Sequence, residues 1–260
     1  MIALRWEWVA LGYVTYLTVV ALADSRFRRA RGPTLVAAFT GWTVWAIAGH
    51  ASRTPLLDVL VPMPILLAGY WLSGLFFVRP MTGVERWLLH VDEWSSSRWH
   101  VSWPRLAREY FELVYVLVYA VVPAGAFALV LGGHAAAVPR FWAVVLLSEF
   151  ASYGMLPWLQ TRPPRAIECT SRPPSILRRF NAAVLERGSI RVNTVPSGHS
   201  AGASATALAV ASAMPIAGAA FLAFAASIVV ATVVGRYHYI VDSVLGVLVA
   251  FGAYLLVATV

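Results

Sequence analysis

Two histidines carry the first hint of chemistry in this sequence. His238 stands four residues before Asp242 in GRYHYIVDS, residues 235–243. On a helix that spacing stacks carboxylate and imidazole on one face. Such a carboxylate holds one ring nitrogen and leaves the other free to attack or to move a proton. Arg236 places a cation two residues ahead of the same histidine. His199 closes the run Pro196-Ser197-Gly198-His199, which opens a stretch of small residues, SAGASATALAVASA. Thr194 or Ser197 can cap a helix beginning here, Pro196 suits its first turn, and Gly198 leaves room for close backbone approach. The free N–H groups and positive end of that helix favour an anion, with His199 beside it to give or take a proton. A third polar group, TRPPRAIE at 161–168, supplies Arg162 and Arg165 next to stiffening prolines. Taken singly, each has a plain structural reading: a helix cap, a buried His–Asp pair, interfacial arginines.

The elements that must position these residues are written in the composition. The chain has 260 residues, 60% of them hydrophobic and 12% charged, with a mean hydropathy of +0.71. A soluble domain of this length could not hide so much apolar surface, so the bilayer is its solvent. Apolar runs at 8–23, 34–49, 56–77, 111–131, 141–159, 198–214, 219–235 and 239–260 read as membrane spans. The expected fold is an all-α polytopic membrane protein, a helical bundle of about eight transmembrane helices with an interfacial amphipathic segment. Residues 1–110 are expected to form an N-terminal group of helices with that segment, and 111–260 a catalytic bundle. The segment at 79–109 carries Trp87, Trp94, Trp99 and Trp103 among charges, which suits the membrane interface. The stretch 160–195 reads as a long loop with Pro163, Pro164, Pro173 and Pro174 and seven arginines. In this topology the ends of the fifth and seventh spans and the start of the sixth share one face. Three distant polar clusters therefore meet.

Composition also excludes. All twenty basic residues are arginine, the side chain that forms forked hydrogen bonds to phosphate. The net charge of +8 has no soluble basic domain to carry nucleic acid, so anionic lipid head groups are the expected partners. The single cysteine, Cys169, rules out an intrachain disulfide and any multi-cysteine metal site. Residues 1–23 have the look of a signal peptide, but Arg26, Arg28, Arg29 and Arg31 follow at once and resist translocation, so the segment reads as a retained helix. Glu149, in the middle of the fifth span, either pairs with a buried donor on a neighbouring helix or serves the site.

Together, two histidines, an aspartate and three arginines on one face form a site for phosphate. Arg162-Pro163, Pro196-Ser197-Gly198-His199, and Arg236 with His238 and Asp242 resemble the three signature motifs of the type 2 phosphatidic acid phosphatase superfamily, over about the last 120 residues. The resemblance implies His238 as the nucleophile that forms a phosphohistidine, Asp242 as its orienting partner and His199 as general acid. It implies Arg162, Arg236, Ser197 and Gly198 as phosphate ligands, a lipid phosphate as substrate, and neither metal nor cofactor. Arg165 is a further candidate cation, since the motif lysine seven residues before Arg162 is replaced by Met155. Thr232 stands where the third-motif arginine belongs, and Arg236 lies one helical turn later. This drift resembles the branch of inositol phosphorylceramide synthases, which pass a phosphoryl head group to a polyol instead of water. An intramembrane serine protease built on Ser197 and His238 would leave the arginines without a task, and a non-catalytic transporter or scaffold would keep its function without His238. The membrane face stays open. Loops on the motif face hold seventeen arginines against three opposite, which points to the cytoplasm, whereas the resembled family faces the outside or the lumen.

Overall fold

The computed structural model describes residues 4–48, 54–96, 104–168 and 175–259. Its long elements are all helical: α1 (Trp6–Ala23), α2 (Arg28–Ala48), α3 (Pro55–Leu60), α4 (Pro62–Gly74), α5 (Thr82–Ser96), α6 (Arg105–Leu131), α7 (Val138–Tyr153), α8 (Ile176–Gly188), α9 (Gly198–Ala213), α10 (Pro215–Val234) and α11 (Ile240–Thr259). The chain is an all-α polytopic membrane protein. Outward-facing Phe39, Ile47, Leu131, Ile216 and Leu248 give the bundle an apolar surface, as lipid contact requires.

Six helical stretches among the described residues are long and apolar enough to cross a membrane: Trp6–Ala23, Pro55–Gly74, Arg105–Leu131, Ala135–Tyr153, Pro215–Val234 and Ile240–Thr259. The other two expected spans are helices too, but for different reasons they fall short of that standard. α2 begins among arginines and includes polar and glycine positions that dilute its hydropathy. α9 has only 16 residues and is buried along most of its length. The third expected span is broken at Pro62, whose missing N–H divides α3 from α4. The expected loop at 160–195 contains the amphipathic helix α8, capped by the Ser175 side chain, which accepts from the Arg178 N–H. α5 is amphipathic as expected, while Arg105–Glu109 belong to the long α6. Trp99, Trp103, Cys169, Pro173 and Pro174 lie outside the described residues.

α9 occupies the middle, against α7, α10 and α11. Its alanines, glycines and serines remove the bulk that would hold neighbours apart. The approach is closest at Gly246 of α11, where a Cβ would lie 2.5 Å from the carbonyl oxygen of Ser197. α1 packs on α2 and α7, so one hydrophobic core runs from Leu17 and Phe27 through Trp142 and Leu146 to Ala205 and Val210. Arg31 closes the end of α1 by donating to the Ala21 carbonyl at 2.9 Å, where a helix offers free acceptors and a partial negative charge.

Candidate active site

α10 stops at Val234, and five residues turn the chain into α11. The N–H groups of Tyr237 and His238 both donate to the Thr232 carbonyl, at 2.9 and 3.0 Å. Arg236 takes a left-handed conformation at φ 61°, uncommon for a residue with a side chain and held here by its surroundings. Its guanidinium donates to Asp92 Oδ2 at 2.7 Å and to both carboxylate oxygens of Glu168. Asp92 Oδ1 in turn accepts the Ile240 N–H at 2.9 Å. One aspartate from α5 thus grips the residues on both sides of His238 and caps α11.

The loop at 161–168 is laced to this turn. Tyr239 donates its hydroxyl to the Arg162 carbonyl at 2.9 Å, and the Arg165 N–H donates to the Arg236 carbonyl at 3.1 Å. A third strand of chain joins through Asn193, whose N–H donates to the Thr161 carbonyl at 2.9 Å. The Asn193 amide donates to Asp242 Oδ2 at 2.9 Å, and the same oxygen receives His238 Nδ1 at 3.0 Å. The Ser197 N–H donates to the Asp242 carbonyl at 2.8 Å, binding the start of α9 to the first turn of α11. With Nδ1 engaged by the carboxylate, the lone pair of His238 lies on Nε2.

The rings of His199 and His238 stand 5.5 Å apart between centroids, nearly perpendicular at 84°. His199 Nε2 shares a hydrogen bond with the Tyr115 hydroxyl at 3.1 Å, and Tyr115 stacks on Tyr237 at 3.5 Å. Tyr237 is fixed at its far end by Glu112, which accepts its hydroxyl at 2.6 Å and also binds Arg178 and Asn181 of α8. A small polar pocket of about 30 Å³ is lined by both histidines, Arg165, Thr194 and Gly198. Burial, reinforced by the Arg165 cation, pushes the His238 imidazole down to about 3, so the ring is neutral.

The three candidate arginines differ in what they face. Arg165 lines the polar pocket, lies 5.1 Å over the Tyr237 ring, and has no carboxylate partner among the described residues. Arg162 is held by Glu85 through a fork at 3.1 and 2.9 Å, which keeps that carboxyl below the usual range. Arg236 is held as described by Asp92, whose own carboxyl is pushed up by burial, and by Glu168. The Ser197 hydroxyl is fully buried and accepts the Ser200 N–H, and the Gly198 N–H donates to Thr194 Oγ1 at 3.1 Å. Ser197 and Thr194 both cap α9, and Pro196 precedes its first turn instead of lying in it. Sequence reasoning missed Tyr115, Asn193, Glu85, Asp92 and Glu112. Only the pair Glu85 and Asp92, seven apart on one face of an amphipathic helix, left a readable signal.

Beneath the polar pocket opens an apolar groove of about 360 Å³ between α4, α6, α7 and α9, with Met63, Leu67, Val118, Val122 and Trp142 among its walls. His199, Tyr70, Tyr153 and Ser189 line both spaces, so the polar site is the head of a greasy channel. Residues 138–260 match the model of the PAP2 superfamily, a stretch that begins with α7 and includes both histidines. No curated protein matches the chain. No solved structure matches it either.

Proposed function

With residues 138–260 matching the model of the PAP2 superfamily, and a phosphatase-type function supported by that match, we propose that this membrane protein hydrolyses a lipid phosphate through a phosphohistidine on His238. The observation that carries this reading is the shared wall of the two cavities. A site that offers Arg165 and two imidazoles at one end and hydrocarbon at the other suits a phosphate ester of a lipid alcohol.

The phosphate enters beside Arg165, which supplies the charge that its oxygens need. Arg162 and Arg236, neutralised by carboxylates, act by holding the two loops in register. His238 Nε2 attacks phosphorus, forming a P–N bond while the ester P–O bond breaks. The entering phosphate anion raises the proton affinity of His199, which then donates to the departing alkoxide. Asp242 stabilises the cationic His238 ring through Nδ1. In the second half, His199 takes a proton from water, the oxygen attacks phosphorus, and inorganic phosphate leaves with His238 restored.

The test is a rapid base quench of the purified protein with a lipid phosphate labelled at phosphorus. An acid-labile, base-stable labelled protein is expected from the wild type and none from His238→Ala; labelling that survives the substitution refutes the assignment. Discharge of the label by water alone supports hydrolysis, and acceleration by an added polyol such as inositol identifies a phosphotransferase.

A further inference from the structure

A tyrosine outside the matched stretch 138–260 holds the second histidine. Tyr115 of α6 is 2% exposed, and its hydroxyl meets His199 Nε2 at 3.1 Å. Among the described residues this is the one side-chain hydrogen bond that His199 makes. The Tyr115 ring is itself clamped. It lies nearly flat on Tyr237 at 3.5 Å, and Tyr237 is anchored through its own hydroxyl to Glu112, one turn before Tyr115 on α6. Glu149, which lines the same groove as His199, has its partner closer to home. Its carboxyl is hydrogen-bonded to Tyr153 one turn along α7, so the donor expected on a neighbouring helix lies on its own.

A phenol hydroxyl is a good donor and the lone pair of a neutral imidazole a good acceptor, so the bond runs from Tyr115 to Nε2. The hydrogen bond made by one ring nitrogen decides which nitrogen carries the proton. With Nε2 accepting, the neutral ring is the Nδ1–H form. The second proton, taken up when phosphate binds, adds at Nε2, and the hydroxyl turns to accept it. We propose that Tyr115 is a positioning residue for the general acid: it keeps Nε2 engaged in both charge states and so leaves Nδ1–H to meet the leaving oxygen. This rests on the phosphatase reading and adds a residue to its machinery. In the acid step the Nδ1 proton passes to the departing alkoxide oxygen, and the ring is left neutral with its proton on Nε2. In the return step the Nδ1 lone pair takes a proton from the attacking water. The stack on Tyr237 fixes the hydroxyl, and the hydroxyl fixes the ring.

Imidazole nitrogen NMR of the purified full chain in detergent reads the tautomer without any substrate. Wild-type His199 is expected in the Nδ1–H form. Tyr115→Phe, which keeps the stacked ring and removes one oxygen, is expected to shift it toward the Nε2–H form that free histidine favours. Single-turnover kinetics read the consequence, with a long-chain alkyl phosphate set against p-nitrophenyl phosphate, whose leaving group departs with little help from an acid. Tyr115→Phe should slow cleavage of the alkyl ester by about 10- to 100-fold and the nitrophenolate burst by less than about threefold. Equal losses for the two esters assign Tyr115 to structure and overturn the inference. So does an unchanged rate for the alkyl ester, or a wild-type His199 that carries its proton on Nε2. In each of these cases the phosphatase reading stands. If Tyr115→Phe fails to fold, the wild-type spectrum decides alone. Turnover of neither ester by the wild type defeats the phosphatase reading, and this inference falls with it.

Discussion

His238 is worth following as a single ring. Its Nδ1 is held by Asp242, and burial with the nearby Arg165 depresses its proton affinity to about 3. The folded value lies below the ordinary 6.5 of the unfolded chain, so the sign is that of a group kept uncharged. Its contribution to stability is fully present above about pH 6.5 and is lost as the pH falls toward the folded value. Imidazole nitrogen NMR of the detergent-solubilised protein should therefore show His238 neutral at pH 5, where an ordinary histidine is charged. Asp242→Asn is expected to keep the fold and lower kcat by on the order of 10³- to 10⁴-fold, as when an orienting aspartate is lost from a catalytic triad. Both residues were legible because a four-residue spacing is local information, and the pair forms even though His238 lies in the turn just before α11. Asn193, which shares the Asp242 oxygen from 49 positions away, was not. Nothing in its neighbours announces that partnership.

Among the elements, α5 has the largest effect for its size. It contributes nothing to the polar pocket, yet Glu85 fixes Arg162, and Asp92 fixes both Arg236 and the first N–H of α11. Asp92 is 1% exposed, so its removal leaves a mostly buried guanidinium unpaired from that side. Asp92→Ala should destabilise the protein by about 3–5 kcal/mol, read as a lowered denaturation midpoint. The activity of surviving protein should fall as well, because the turn that carries His238 loses its anchor on both sides. Gly246→Ala tests the contact between α9 and α11. A methyl group there meets the Ser197 carbonyl oxygen at 2.5 Å, which is backbone and does not yield cheaply. The expected result is loss of turnover that exceeds the loss of stability, since α9 carries His199 and the turn into α11 carries His238. The amphipathic character of α5 could be read from its pattern, but its carboxylate partners could not. An acidic residue on a polar face looks solvated until the fold brings an arginine to it.

For the molecule as a whole, the alternation of eight spans expected from hydropathy puts both chain ends on the face opposite the histidines. That pattern gave the order of the spans correctly because apolar length is a bulk property. The short sixth run, rich in alanine, glycine and serine, suited packing inside the bundle better than contact with lipid, and α9 is buried along most of its length; the pattern passed over α8 because prolines and arginines surround that helix. The heavy surplus of arginine on the histidine face argues that this face is cytoplasmic. A topology reporter fused after Val260 is then expected to read as extracytoplasmic; a cytoplasmic signal would turn the protein over.

The family match opens at Val138, whereas Glu85 and Asp92 stand well upstream of it. Severing the gene at that boundary would deliver every signature residue and discard the carboxylate that occupies Arg162 and one of the two that occupy Arg236, which would keep Glu168. The unclaimed Arg162 guanidinium would then compete for the incoming phosphate and drag its loop with it. Such a minimal fragment should be inert for want of counter-charges, and supplying residues 1–137 as a separate polypeptide is the natural attempt to revive it.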